Sequence, residues 1–244
     1  MNGIAHVSYS RLKDYEACPR KAQLKYVDKV PEPEQPDSPM VRGTRMHADI
    51  ESYIRGEIDE LPKDCEGAQP YADAFREAFE DDPAQLLQEQ MWAFTEAWEP
   101  QEAYEYGATR FLAKLDVVQF LEDGLEARLV DWKSGKKYGN EISHADQMMF
   151  YTIAAFARYE DLTHVTVMLR YLDQNQETVK EMTRMEAMAF LPKAEARIKK
   201  MLTDANFYPD PSLNHCRYCP FKTGTLGKGK KAVEGTGHCN LNPV

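Results

Sequence analysis

The chain has 244 residues, 43% hydrophobic and 29% charged, which is enough for one large domain or a domain with an appendage. It contains no apolar run of about eighteen residues and no signal-peptide pattern in Met1–Ser10, so we expect a cytoplasmic protein without a membrane partner. The net charge of −10 divides into −14 between Asp49 and Glu105 (3 basic minus 17 acidic residues) and +4 elsewhere (27 basic minus 23 acidic residues), so it does not exclude a nucleic-acid partner.

Helical patterns occupy the first third of the chain. A short helix with Ser10 as its N-cap is expected first, and Pro19 is expected to start a second helix that reaches Val30. Four prolines make residues 31–39 a loop. Apolar residues then recur at helical spacing in two longer stretches, Met40–Ile58 and Gly67–Glu80.

The spacing then changes to the alternation that is typical of strands. Turn sequences at Glu122–Gly124 and Asp173–Gln176 separate pairs of these strands. The predicted order is three strands, a helix, two strands and a last helix interrupted near Pro192, with the bounds Leu86–Thr95, Arg110–Leu121, Glu126–Lys133, Ile142–Tyr159, Val165–Leu172, Thr178–Thr183 and Met185–Leu202. This order predicts an α/β fold with a central mixed β-sheet flanked by helices.

Two aspartates interrupt apolar strands. Asp116 lies inside the second predicted strand and Asp131 near the end of the third, on adjacent strands of one hairpin. A buried carboxylate is costly unless it is paired or binds a cation, and two of them can converge on one Mg²⁺ or Mn²⁺. Lys133 follows Asp131 by two residues, so both side chains face the same way, and its ammonium can stabilise charge on a scissile phosphate. Taken alone, an Asp-x-Lys sequence also fits strand ends beside turns.

Five motifs accompany these strands, and together they resemble one nuclease family. They are Ser10-x-Leu-x-x-Tyr-x-x-Cys18-Pro-Arg, Gly43-Thr-x-x-His47, Asp116 with Asp131-Trp-Lys133-Ser-Gly-Lys136, Gln147-Met-Met-Phe-Tyr151, and Cys216-x-x-Cys219-Pro. With these motifs the chain resembles the PD-(D/E)XK nuclease superfamily, and within it the RecB-like and Cas4-like branch that carries an iron–sulfur cluster. The resemblance covers most of the chain and implies a restriction-endonuclease-like core.

The resemblance also implies a role for each matching residue. Lys133 would be the catalytic lysine, beside the catalytic carboxylates Asp116 and Asp131. Glu89, in the strand before Asp116, is carried over as a further catalytic acidic residue. The ligands of a catalytic Mg²⁺ or Mn²⁺ would be His47, Asp116, Asp131 and the backbone carbonyl of Trp132. The residues that touch substrate would be Gln147, Tyr151 and Lys136.

The five cysteines are an odd number, which argues against a disulfide framework in a reducing compartment. Cys216 and Cys219 have the spacing of a metal or cluster site. Zinc, with His215 and His238 as further ligands, is one interpretation, and Cys65 is expected to be a free thiol. The resemblance implies instead that a [4Fe–4S] cluster joins the two ends of the chain, held by Cys18, Cys216, Cys219 and Cys239.

These motifs predict three segments and a class of function. Residues 1–39 would contribute a cluster cysteine, 40–205 would form the nuclease core with an acidic helical insert at about 49–85, and 206–244 would supply the remaining cysteines. The basic loop Lys222–Lys231 would follow a phosphate backbone.

The first hypothesis is a metal-dependent DNA exonuclease acting in recombination, repair, phage-type or CRISPR-related DNA processing. Its substrate would be single-stranded DNA or duplex ends. A single-strand-binding or annealing protein, or a helicase, would be its partner. Because no Walker A sequence occurs in the chain, a partner would have to supply any unwinding. The alternatives are an inactive DNA-binding module that keeps the nuclease fold and a zinc-stabilised interaction protein.

Overall fold

The computed structural model describes residues 3–33, 38–121, 124–135, 137–226 and 233–241. The chain separates into two compact units: Pro39–Ala194 forms one, and the two chain ends, Met1–Ser38 with Glu195–Val244, form the other. Within the described ranges, no helix has the length and apolar character needed to cross a bilayer.

The N-terminal end begins with the short strand β1 (Val7–Ser8) and the helices α1 (Tyr9–Ala17) and α2 (Pro19–Ala22), followed by a π-helical turn at Gln23–Val27. Pro19 occupies the first turn of α2, as predicted. The predicted N-cap was wrong by two residues: the Ser8 hydroxyl accepts the Arg11 N–H at 3.4 Å, so Ser8 is the cap and Ser10 lies inside α1. The second helix was predicted to reach Val30, but its last helical residue is Val27.

The larger unit contains a sheet whose strands lie in the order β3-β2-β4-β5-β6-β7. Strands β5 and β6 are parallel and the other neighbours are antiparallel, which confirms the predicted mixed sheet. The elements in chain order are α3 (Pro39–Ile54), a 3₁₀ turn (Lys63–Ala68), α4 (Gln69–Asp81), β2 (Leu86–Phe94), β3 (Pro100–Gln101), β4 (Phe111–Leu121), β5 (Glu126–Lys133), α5 (Glu141–Arg158), β6 (His164–Tyr171), a 3₁₀ turn (Leu172–Gln174) and β7 (Gln176–Thr183).

Helices cover both faces of this sheet, which confirms the predicted α/β class. On one face, Val130 and Trp132 of β5 pack in a core with residues of α3 and α4. On the other face, Phe150 of α5 stacks on Phe111 of β4 with ring centroids 5.5 Å apart. Because side chains alternate along a strand, Asp131 faces away from the core that holds Val130 and Trp132.

Strand β2 changes the direction of its side chains at Glu89. Leu86 packs into the core beneath α3 and α4, whereas Trp92 contacts Tyr159 at the end of α5, with ring centroids 5.6 Å apart. Both are even-numbered positions, which share one face in a regular strand. Between them Glu89 has a left-handed backbone, with φ of 47°. This residue therefore separates two stretches of β2 that face opposite ways.

The last helix, α6 (Arg184–Thr203), is continuous although Pro192 lies inside it, so the predicted interruption was wrong. A proline inside a helix removes one hydrogen bond and costs about 3 kcal/mol, but burial of the larger apolar residues Ile198 and Met201, at about 1.5–3 kcal/mol each, offsets that cost.

The short elements α7 (Leu213–Arg217), β8 (Thr225–Leu226) and β9 (Val233–Glu234) follow α6. Half of the predicted basic loop, residues 227–231, and the turn residues 122–123 lie outside the described residues.

Candidate functional site

Asp116 and Asp131 lie opposite each other on adjacent antiparallel strands. Val117 of β4 pairs with Val130 of β5, which places the two aspartates side by side in the same register. Their exposed fractions are 6% and 5%. The Trp132 N–H donates to Asp116 Oδ2 at 2.7 Å. Burial and the neighbouring charge of Asp131 nevertheless raise the pKa of Asp116. A positive charge beside Asp116 would therefore stabilise its carboxylate.

His47 can supply part of that positive charge. Helix α3 places its Nδ1 at 3.2 Å from Asp116 Oδ1 and its Nε2 at 2.9 Å from the Trp132 carbonyl oxygen. Burial opposes protonation, but Asp116, Asp131 and Glu89 outweigh it and raise the pKa of His47. The oxygen atoms beside both ring nitrogens and the neighbouring acidic groups thus favour the protonated ring. A positive charge is therefore favoured at this position.

Glu89 completes a group of three possible ligands. One ligand atom each of His47, Glu89 and Asp116 lies within 4.8 Å of the others. The left-handed φ of Glu89 costs about 1–3 kcal/mol for a residue with a side chain, and such strain is typical of functional positions. Glu89 also forms an ion pair with Lys114 at 2.8 Å. We did not predict Lys114, although its position two residues before Asp116 on a strand is a signal that it shares the same face.

Asp131 belongs to a second cluster, with Lys133. Asp131 Oδ2 lies 2.5 Å from Lys133 Nζ, and Oδ1 accepts hydrogen bonds from Gln147 Nε2 at 3.0 Å and Tyr151 Oη at 3.4 Å. Lys133 Nζ also donates to Gln147 Oε1 at 2.8 Å. Burial and the charge of Asp131 raise the pKa of Tyr151, which keeps its hydroxyl protonated.

The predicted site residues therefore fall into two adjoining sets. Asp131 was predicted to bind metal with His47 and Asp116, yet among the described residues the three-ligand group contains Glu89 in its place. The Trp132 carbonyl, also predicted as a ligand, accepts from His47. Lys136, predicted to touch substrate, lies outside the described residues.

The donor set fits a small divalent cation. Carboxylate oxygens are ligands for both Mg²⁺ and Mn²⁺. Of these two ions, Mn²⁺ is the better match for an imidazole nitrogen. An ion here would offset the buried charges of Asp116 and Asp131 and would displace the proton from His47.

The close approach of α3 to the end of β5 explains the glycine of the histidine motif: a Cβ on Gly43 would lie 3.0 Å from Ser134 Oγ.

The other four predicted metal-binding residues, all cysteines, line one cavity in the unit formed by the chain ends. The cavity has a volume of 210 Å³, and its lining includes Cys18, Cys216, Cys219 and Cys239. Burial raises the pKa of Cys219, and the Cys239 and Cys18 thiols add to that shift, whereas Lys21 opposes it. His215 also lines the cavity, but His238 is not among the lining residues.

The cysteine sulfurs are spaced more widely than the ligands of a single ion. Among the described residues, no three of them lie within 4.8 Å of one another. A tetrahedral zinc site places its sulfurs about 3.8 Å apart, whereas a four-iron cluster spreads its ligands further. All five cysteines are free, and Cys65 lies fully buried in the other unit.

Comparison with known proteins assigns the chain to a family. The profile of the PD-(D/E)XK nuclease superfamily matches residues 6–223. A solved structure described as the crystal structure of SSO0001 is 14% identical, covers 90% of this chain and 84% of that chain, and superposes with a TM-score of 0.44, which is too low to carry an argument. No curated protein matches the chain. Nucleases of this superfamily hydrolyse phosphodiester bonds with divalent metal ions. Since the match takes in His47, both aspartates and Lys133, the chain belongs to the PD-(D/E)XK nuclease superfamily, as its motifs predicted.

Proposed function

We propose that this protein is a cytoplasmic DNA exonuclease that uses Mg²⁺ or Mn²⁺. The observation that carries the proposal is the convergence of His47, Glu89 and Asp116 within 4.8 Å, beside the ion pair of the buried Asp131 with the half-buried Lys133. A degenerate, inactive copy of the fold tends to lose one of the catalytic residues, and this chain keeps all of them.

Each residue has a chemical task in this proposal. The divalent ion, when bound, supplies positive charge that polarises the scissile phosphodiester. His47, Glu89 and Asp116 would hold it, with Asp131 and the Trp132 carbonyl beside them as the further predicted ligands.

Lys133 and its neighbours act on the substrate. The Lys133 ammonium, oriented by Asp131 at 2.5 Å and Gln147 at 2.8 Å, stabilises negative charge that develops on the phosphate oxygens. Gln147, Tyr151 and Lys136 position the strand.

Substitution of the catalytic residues tests the activity. We expect Asp116→Ala and Lys133→Ala each to reduce hydrolysis of linear DNA in Mn²⁺ by at least about a hundredfold, with unfolding temperatures that show a folded protein. Lys180→Ala, an exposed lysine on β7, is the matched control and should keep full activity. Full activity in either catalytic variant would contradict the assignment.

Labelled substrates test the exonuclease part of the proposal. Linear DNAs carrying a 5′ or a 3′ label, single-stranded or duplex, should be degraded from an end, and the released products give the polarity. Closed circular DNA should persist. Cleavage of circles at a comparable rate would make the enzyme an endonuclease. Stimulation by a helicase or a single-strand-binding protein tests the proposed partners.

We also propose that the four cavity cysteines hold a [4Fe–4S] cluster with a structural role, as in the RecB-like and Cas4-like branch. The common cavity and the wide spacing of the sulfurs support a cluster over one zinc ion. Protein purified without oxygen should absorb near 400 nm and contain about four irons per chain. Stoichiometric zinc without that absorbance would establish the zinc alternative.

A further inference from the structure

Three carboxylates of the candidate site lie in a row across three neighbouring strands. The sheet order places β4 between β2 and β5. The β2–β4 pairs on either side of Glu89 place it opposite Asp116, and the β4–β5 register places Asp116 beside Asp131. Glu89 and Asp131 are therefore the two ends of this carboxylate row.

A lysine forms an ion pair with each end of the carboxylate row. Lys133 lies 2.5 Å from Asp131, and its side chain is 21% exposed. Lys114 lies 2.8 Å from Glu89 Oε2, and its side chain is 66% exposed. In the proposed function Lys133 serves the scissile phosphate, whereas Lys114 has no role. Lys114 is thus the more accessible of two cations that flank the same carboxylates.

The Lys114 ammonium keeps donors for a further acceptor. Among the described residues, Glu89 is its only ion-pair partner. An ammonium has three N–H donors, so one carboxylate oxygen leaves two of them for another group. An exposed ion pair contributes little to folding, because solvent screens both charges. An anion that approaches from solvent can therefore bind Lys114 at little cost to the fold.

The charges of the site favour an anion once a divalent ion is bound. The row carries three negative charges, while the ion and the two lysines carry four positive charges, with His47 neutral as a ligand. Glu51, a further acidic group near Lys114, is already paired with Arg55 at 2.6 Å. The occupied site thus has one positive charge in excess with Lys114 and none without it.

The length of the carboxylate row separates the tasks of the two lysines. Neighbouring strands lie about 4.8 Å apart, so the row extends over about 10 Å between its ends. One phosphate group, with hydrogen bonds of about 2.8 Å on each side, is too short to join ammonium groups held at both ends. The two lysines therefore suit two successive phosphates of one strand.

We propose that Lys114 is a substrate-binding residue that donates to a non-bridging oxygen of the phosphodiester next to the scissile one, on the β2 side of the site. The inference rests on the proposed nuclease function, in which Lys133 serves the scissile phosphate. The ligand is the backbone of a nucleic-acid strand, because a strand presents a second anionic group at a short distance from the first. Such a contact positions the strand and reads no base.

Substitution of Lys114 tests the contact, with a labelled single-stranded DNA cleaved in saturating Mn²⁺. Lys114→Met removes the charge and keeps a long side chain, so KM should rise about tenfold while kcat changes less than twofold. Lys114→Arg retains the charge and should lie within about threefold of the wild type. Lys180→Met, at an exposed lysine on β7, is the matched control and should leave KM unchanged. An unchanged KM in Lys114→Met would overturn the proposal.

Salt dependence distinguishes a phosphate contact from an effect on the ion. The Kd for the same DNA is measured in saturating Ca²⁺ over a series of KCl concentrations. Each phosphate neutralised on a single strand adds about 0.7 to the slope of log Kd against log salt, so Lys114→Met should lower the slope by about 0.7. Lys180→Met should keep the wild-type slope. An unchanged slope in Lys114→Met, with an altered Kd for Mn²⁺ or a lowered unfolding temperature, would limit Lys114 to its pair with Glu89 and would overturn the proposal.

A substrate series identifies the contacted phosphate. Single neutral methylphosphonates are placed in turn at each linkage flanking the cleavage site. At the linkage next to the scissile one, on one side only, the neutral group should weaken binding by the wild type about tenfold and binding by Lys114→Met no further, because both changes remove one interaction. If the two losses multiply at every linkage, Lys114 contacts none of these phosphates.

The two proposals fail in different ways. If the wild type cleaves no DNA with Mg²⁺ or Mn²⁺, the nuclease assignment fails, while the salt slope in Ca²⁺ still reports whether Lys114 contacts a phosphate. If the wild type cleaves DNA and Lys114→Met matches it in KM and in slope, the nuclease assignment stands and only the role of Lys114 is lost.

Discussion

The two candidate metal-binding regions of this chain differ in how they are built and in the atoms that they offer. The site in the larger unit presents two carboxylates and one imidazole, and two of these three residues lie on neighbouring strands of one sheet. The cysteine cavity presents sulfur, and its lining comes from opposite ends of the sequence. Oxygen and imidazole ligands suit Mg²⁺ or Mn²⁺, and thiolates suit iron–sulfur clusters or zinc. The proposed divalent-ion site and the proposed cluster site thus lie in different units of the chain.

Selective metal removal is the strongest test of that separation. Brief treatment with EDTA should reduce nuclease activity by at least about a hundredfold and leave the absorbance near 400 nm unchanged, because a chelator takes an exchangeable divalent ion before a thiolate-bound cluster. Cys216→Ser should do the reverse, losing the absorbance and lowering the unfolding temperature by several degrees. Cys65→Ala is the matched cysteine control and should keep the absorbance. Bleaching by EDTA at the rate of inactivation would show that the two regions are not independent.

Thiol reactivity distinguishes the cysteine of the larger unit from those of the cavity. Burial, reinforced by Asp64 and Asp49, raises the pKa of Cys65 to about 12. Since the thiolate is the reactive form, iodoacetamide at pH 8 should modify Cys65 at least about a hundredfold more slowly than the half-buried Cys18 in cluster-free, folded protein. Peptide mass spectrometry measures both rates. Equal rates would place Cys65 in the same class as the cavity thiols.

Backbone strain occurs at Glu89, in the group of possible ligands formed by His47, Glu89 and Asp116. Glu89→Gly should relieve the left-handed backbone, whereas Glu89→Gln removes the charge but retains the backbone conformation. We expect the glycine variant to be more stable than the glutamine variant by about 1 kcal/mol, and both to bind Mn²⁺ more weakly than the wild type. Urea unfolding and Mn²⁺ titration measure the two quantities. A less stable glycine variant would show that φ at Glu89 carries no strain.

The unit formed by the chain ends should have a small pH dependence of its own through His6. Burial, with a contribution from Arg11, lowers the pKa of His6 from 6.5 to about 4. The unfolded chain therefore takes up the proton first as pH falls, and the stability present above pH 6.5 is lost progressively down to about pH 4. His6 is partly exposed, so the effect is small. His6→Gln should lose less stability than the wild type between pH 7 and 4.5, with His164→Gln as the control. Equal losses in the wild type and His6→Gln would contradict the shift.

Sequence patterns determined much of the fold. Alternating apolar residues located β2, β4 and β5 to within one residue at each end, because burial of a strand face imposes a period of two. The pairing of Asp116 with Asp131 followed from the hairpin between β4 and β5. The alternation of side-chain directions along β2 breaks at Glu89, where a left-handed φ reverses which face of the strand is exposed. The amino-acid sequence does not predict that a glutamate takes this conformation.

What the sequence determined by itself is the superfamily, the mixed sheet and the residue types of both candidate metal regions, since motif order and periodicity are local properties of the chain. Tertiary structure alone decided that Glu89 joins His47 and Asp116, that Asp131 turns to Lys133 and Gln147, and that four cysteines line a common cavity. The reason is physical: the distances among these atoms depend on how α3, α5 and the chain ends pack, and packing depends on contacts between residues far apart in sequence.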